Sequence, residues 1–207
     1  MEVLEVNKKP ISFLIWFGVV LVVLIIAIAV SSTTNEEPEV QGTKYNCDVK
    51  NFELSTSINI MKDGEFFAKV KGNIFTYVTD PLTMYDKDGN KVAYAADEYH
   101  YIAQDSHAIF VDDSFTCEMA GLVRIWGQAY EIYGKNGDKI ADVTFNSFNT
   151  SGKMYDLEGN LIAEYISNTF LNDFDVRIYE KCNLDEKTVL MIFCSYYSDY
   201  SYDASQE

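Results

Sequence analysis

The chain has 207 residues, with 16 Lys and Arg against 32 Asp and Glu, for a formal charge of −16. That balance excludes a surface built for nucleic acid or anionic lipid headgroups, because both require a cationic face. Aromatics make up 14% of the chain, with 15 Tyr and 13 Phe against 3 Pro. This mix favours strands and argues against disorder.

Residues 11–30, ISFLIWFGVVLVVLIIAIAV, carry no charge. As a helix rising roughly 1.5 Å per residue they span about 30 Å, the hydrocarbon thickness of a bilayer. The run exceeds the ~7–15 apolar residues of a cleaved signal peptide, although Ala27 and Ala29 offer a small-x-small cleavage site. The expectation is an uncleaved single-pass transmembrane anchor at 11–30, so the membrane is the first expected partner. Lys8 and Lys9 precede the run, and Glu36, Glu37 and Glu39 follow it before Lys44. By the positive-inside tendency, residues 1–10 are cytoplasmic and the rest of the chain is extracytoplasmic. Residues 31–43, SSTTNEEPEVQGT, are small, polar and acidic and read as a flexible linker. The folded domain is then 44–207. Residues 1–43 hold two Lys and five Glu, which leaves −13 on that domain.

Within the domain one bend recurs three times: MYDKDGNKVAYA (84–95), IYGKNGDKIADV (132–143) and MYDLEGNLIAEY (154–165). Each joins two apolar runs through a polar turn. Gly89, Gly137 and Gly159 supply the positive φ that a short hairpin loop requires, and the Asp and Asn around them bond their own backbone. Each copy therefore predicts a β-hairpin. The pleat predicts that Ala93, Ala141 and Ala163 share one face, small enough to pack against a neighbouring element. Asp86, Asp88 and Asn90 also resemble the start of a calcium loop. A full loop needs a further oxygen ligand and a bidentate Glu at its twelfth position, where this chain has Asp97, so turn chemistry is the preferred reading.

Further strands are expected at 66–78, 98–103, 107–112, 114–127 and 173–181, about ten to twelve in all with the hairpins. This is a mainly β domain, a barrel or a sandwich. Residues 183–200, NLDEKTVLMIFCSYYSDY, break the pattern. Asn183 reads as an N-cap, with Asp185 and Glu186 in a first turn where the dipole favours anions. Val189–Cys194 is apolar on every side, so a helix here must be buried, and it is too short to cross a bilayer. A buried central strand is the alternative. A barrel with the helix through its middle satisfies the pattern.

Together, the Y-D-x-x-G-N hairpins (Tyr85-Asp86, Gly89-Asn90; Tyr155-Asp156, Gly159-Asn160) and the ending VRIYEKCNLDEKTVLMIFCSYY (176–197) resemble the tubby C-terminal-like superfamily, which includes the LURP-one-related proteins and the phospholipid scramblases. The resemblance covers roughly 66–200. It implies a barrel of about twelve strands enclosing a hydrophobic C-terminal helix. Tubby proteins bind phosphoinositides through clustered Lys and Arg; this acidic domain has only scattered ones, so that site is not carried over. The scramblase calcium segment falls near Asp173 and Asp175, with a match too loose to assign.

Chemistry is sparse. The chain has no G-x-S-x-G, HExxH, P-loop or GxGxxG motif. His100 and His107 flank a turn with Asp105 between them; without an evident third ligand they read as surface or half-buried strand residues. Asp112-Asp113 would alternate faces on a strand, a poor paired-carboxylate site. The tail YYSDYSYD (196–203) reads as a polar, disordered or helix-ending terminus, with stacking on sugars or a partner as the alternative. Asn149-Thr150-Ser151 is a glycosylation sequon if the host glycosylates. Cys47, Cys117, Cys182 and Cys194 lack zinc-type spacing. Outside the cytoplasm they are free to pair, but small buried hydrophobes are the preferred reading. No catalytic, cofactor-binding or metal residue is assigned. The expected function is a non-enzymatic binding or structural module whose ligand is an unidentified protein or small molecule. A scramblase-like lipid-handling protein and an extracytoplasmic hydrolase are the alternatives.

Overall fold

Strand alternation runs through nearly all of the domain, and in the computed structural model the described residues form twelve strands and a closing helix. Described are residues 41–52, 55–73, 82–97, 106–122, 127–148, 150–168 and 173–203. They belong to a unit spanning Gln41–Glu207. The apolar run 11–30 and most of the linker lie outside them. Among the described residues, no helix is long and apolar enough to cross a membrane.

The strands are β1 (Gly42–Phe52), β2 (Ser55–Lys62), β3 (Glu65–Asn73), β4 (Leu82–Asp86), β5 (Lys91–Asp97) and β6 (Ser106–Val111). They continue as β7 (Ser114–Leu122), β8 (Ala129–Gly134), β9 (Lys139–Phe145), β10 (Ser151–Asp156), β11 (Leu161–Asn168) and β12 (Asp173–Tyr179). Each pairs antiparallel with the next, and β12 returns to β1, Val176 opposite Tyr45, to close the ring. The fold is therefore a closed up-and-down barrel, not a sandwich, and closure leaves no sheet edge. β1 and β2 precede the stretch to which the family resemblance extends, and their alternation, Tyr45, Cys47 and Val49 inward, completes the ring. β1 also takes up Gly42 and Thr43, which composition had placed in the linker.

The three repeated bends are the β4–β5, β8–β9 and β10–β11 hairpins. All three carry a register shift at the same place, just before Tyr85, Tyr133 and Tyr155. Their glycines have φ of 84°, 79° and 81°, the left-handed position that follows a type I turn in a short hairpin loop. In an up-and-down meander every second connection falls at the same end, so one turn design serves one rim. The Asp63-Gly64 and Asp112-Asp113 turns lie at that rim as well, both residues of each having positive φ.

A twelve-strand ring is wider than the eight-strand barrel whose interior side chains alone can fill. The helix α1 (Glu186–Asp203) supplies the missing volume. Thr188 through Tyr197 are all buried. The helix lies nearest β5 and β6, where Ala93 and Ala95 give it room. On the other side the gap is filled by aromatics. Phe145 stacks on Tyr196 with centroids 3.3 Å apart, Tyr165 on Phe193 at 5.8 Å, and Phe174 on Tyr197 at 5.1 Å. Ala93, Ala141 and Ala163 all face this core, as the pleat predicted.

One detail of the ending differs from the sequence reading and another is borne out in part. The cap is Asp185 and not Asn183: the Lys187 N–H donates to its carboxylate at 2.9 Å, and the Val189 N–H to its carbonyl at 3.1 Å. The tail from Tyr196 ends the helix, as one of the expected readings had it, but its first two residues are not polar surface. It continues the helix to Asp203, with Tyr196 and Tyr197 in the core, because the barrel offers their rings an apolar wall that no local pattern reveals.

Candidate functional site

Among the described residues, polar groups gather at each end of α1 and along the outer wall. At the first end, Glu186 on the opening turn of α1 accepts hydrogen bonds from the Tyr45 hydroxyl on β1 and, at 2.7 Å, from the Lys62 ammonium on β2. Lys62 also lies 5.5 Å from the centroids of the Tyr45 and Phe67 rings, within cation–π range. Burial opposes ionisation of Glu186, but the bonds from Lys62 and Tyr45 outweigh it and hold the carboxyl below its ordinary 4.5. Burial, and then Glu186 itself, pushes the Tyr45 phenol up. At the other end, Asp199 meets the His107 ring on β6 at 2.7 Å. The helix is thus pinned to the wall at both ends.

His107 is buried and committed to α1, contrary to the expectation of a surface or half-buried strand residue. His100 and Asp105 lie outside the described residues. Asp112 and Asp113 do not alternate along a strand. They form the two-residue β6–β7 turn, are exposed, and pair with Lys187 at 3.3 Å and Lys91 at 2.6 Å. Asp173 and Asp175 stand at the closing seam. Asp173 accepts from the Val49 N–H at 3.3 Å, and Asp175 from Asn46 at 2.5 Å and Lys44 at 2.9 Å. Both therefore stitch β12 to β1.

The calcium-like triplet is spent on its turn. Asp86 accepts from the Asp88 and Asn90 N–H groups at 2.9 and 2.8 Å and from the Asn90 amide at 3.0 Å. Asp156 repeats this with Glu158 and Asn160 at 3.0, 2.8 and 2.8 Å. The Asn90 and Asn160 bonds hold both carboxyls below their ordinary 3.8. Asp97 ends β5 opposite His107 and not in a loop. Asn149 of the sequon lies outside the described residues.

The four thiols are free. Cys47 on β1, Cys117 on β7 and Cys194 on α1 are buried, as expected of small hydrophobes; Cys182 is half-buried in the β12–α1 connection. Burial pushes all four up, Cys117 to about 12. A thiol held protonated is neither a good nucleophile nor a good metal ligand. Among the described residues, no group of three or more His, Cys, Asp and Glu is placed to hold a metal ion.

The outer wall carries the third feature, an open groove of about 410 Å³. Leu122, Tyr155 and Leu157 supply its apolar side chains, and Asp142, Thr144 and Asp156 its polar ones. Lys139 bridges Asp142 at 2.7 Å to Glu131 at 2.9 Å. The Tyr133 hydroxyl, donating at 2.6 Å, and Lys139 hold the Glu131 carboxyl below its ordinary range. The sequence reading did not find this groove. Its one local signal was an apolar residue, Leu157, inside a polar turn.

No protein-family model matches the chain, and no curated protein matches it. Among solved structures, the X-ray structure of a protein from Arabidopsis thaliana is similar, with a TM-score of 0.53 and 14% identity, over 78% of this chain and 94% of that one. At that identity the likeness is one of fold.

Proposed function

We propose that the protein is a membrane-anchored, extracytoplasmic binding or structural module, without enzymatic activity, built on the barrel of the tubby and LURP-one-related proteins. The observation that carries this reading is the burial of Thr188 through Tyr197 inside the ring. Volume that a ligand-carrying barrel leaves open is here occupied by the chain's own helix, so recognition belongs to the exterior. The pinning pairs at the two ends of α1 are used in holding it. A hydrolase working through carboxylates would need two of them converging on one groove; Asp142 is tied to Lys139 and Asp156 to its own turn. The tubby kinship is supported by the hairpins, the helical ending and the fold shared with the Arabidopsis protein. The anchor is supported by the uncharged run 11–30, and the orientation by Lys8 and Lys9 against the acidic linker.

Protease added to intact cells tests the topology. Cleavage within 31–43 that releases an otherwise resistant barrel is the expected result. A barrel that is protected until the cells are lysed would reverse the orientation, and its release by salt washing alone would remove the anchor.

A further inference from the structure

Leu157 sits on the β10–β11 turn and is 63% exposed. The corresponding residues of the other two bends are Lys87 and Lys135. A leucine there adds nothing to the turn, whose bonds come from Asp156, Glu158 and Asn160. A local rule broken without a gain in folding marks a surface with another use. Beside Leu157 opens the outer groove, its volume of about 410 Å³ within the ~300–1,000 Å³ of ordinary ligand clefts. Leu122, itself 39% exposed, also lines it.

We infer that this groove docks a segment of a partner protein presenting an apolar side chain beside a lysine or arginine. None of the ten lining residues is cationic. Asp142 and Asp156 line the groove, and Lys139 ties Asp142 to Glu131, so three carboxylates stand against one ammonium group, an excess of two negative charges. Glu131 and Asp156 are held ionised by their hydrogen bonds. Exposed leucines beside that charge complement an apolar, basic segment and repel acidic ones. A second copy of this chain, at −16, brings the wrong sign.

The inference rests on the binding-module reading above, but not on which side of a membrane the barrel lies. The test titrates a fluorescent Lys-Leu-Lys-Leu-Lys-Leu peptide into the full chain in non-ionic detergent and reads anisotropy. Saturable binding is expected, weakened about tenfold or more by Leu157→Lys and less strongly by Asp142→Asn. Leu157→Lys restores the residue of the other two bends, so an unchanged melting curve should accompany the loss. Four results would each overturn the proposal: no saturable binding, equal binding to Leu157→Lys, equal binding of Lys-Ser or Glu-Leu peptides, or self-association abolished by Leu157→Lys. None of these touches the protease result, so the two readings fail separately.

Discussion

Asp86 and Asp156 do the same work in two of the three bends, each carboxylate gathering two backbone N–H groups and one side-chain amide. These bonds favour the ionised form and lower both pKa values in the folded state; Glu186 is lowered as well. A group with a depressed folded pKa binds protons more readily when unfolded, so its contribution is complete above the unfolded value and disappears as pH falls through the folded one. Stability should therefore decline from about pH 4.5 downward, where the ordinary Glu value lies. Thermal melts from pH 6 to pH 2.5 check this. Asp156→Ala should lower the melting temperature at pH 6 and flatten the acid decline, whereas a decline of undiminished steepness would remove the turn from its causes. These residues were legible in the sequence because an Asx turn is satisfied within five residues of chain. Asp112-Asp113 was not, because a two-residue loop of positive φ is more often Asn-Gly or Asp-Gly.

The helix shows the same division one level up. Its burial followed from six consecutive apolar residues, Val189–Cys194, which leave no polar face for water. Its cap did not, since Asn183 and Asp185 are both good N-cap residues. The choice is made by where the chain leaves β12 and turns into the barrel: Cys182 closes a turn onto Tyr179, and Asp185 arrives at the helix start. Replacing Asp185 by Ala should cost about 1 kcal/mol, while Asn183→Ala should be near neutral; urea melts of the two variants separate the assignments. The partners of Glu186 and Asp199 were likewise invisible. Tyr45 is 141 positions from Glu186 and His107 is 92 from Asp199, and nothing in a local pattern joins residues so far apart.

At the scale of the whole molecule, barrel and helix are one core. Phe193 is fully buried and packs against Phe145 and Tyr165. Phe193→Ala should cost roughly 3–5 kcal/mol, a large share of the ~5–15 kcal/mol that holds a domain folded. Loss of near-ultraviolet circular dichroism with strand signal retained would show the helix freed from an intact ring. Cooperative loss of both is the expected outcome, because without the helix the apolar residues facing the centre of the ring would be left against water.

The strand period, the glycine turns and the apolar ending were determined by the sequence itself, since each is settled by contacts within a few residues. They specified a mainly β domain with a buried final helix. Ring closure through β1, the cap at Asp185, the pinning of both helix ends and the outer groove were decided only by tertiary structure. Each depends on strands or side chains distant in sequence meeting at a definite register, and register is set by burying one face of each strand in the shared core of the barrel.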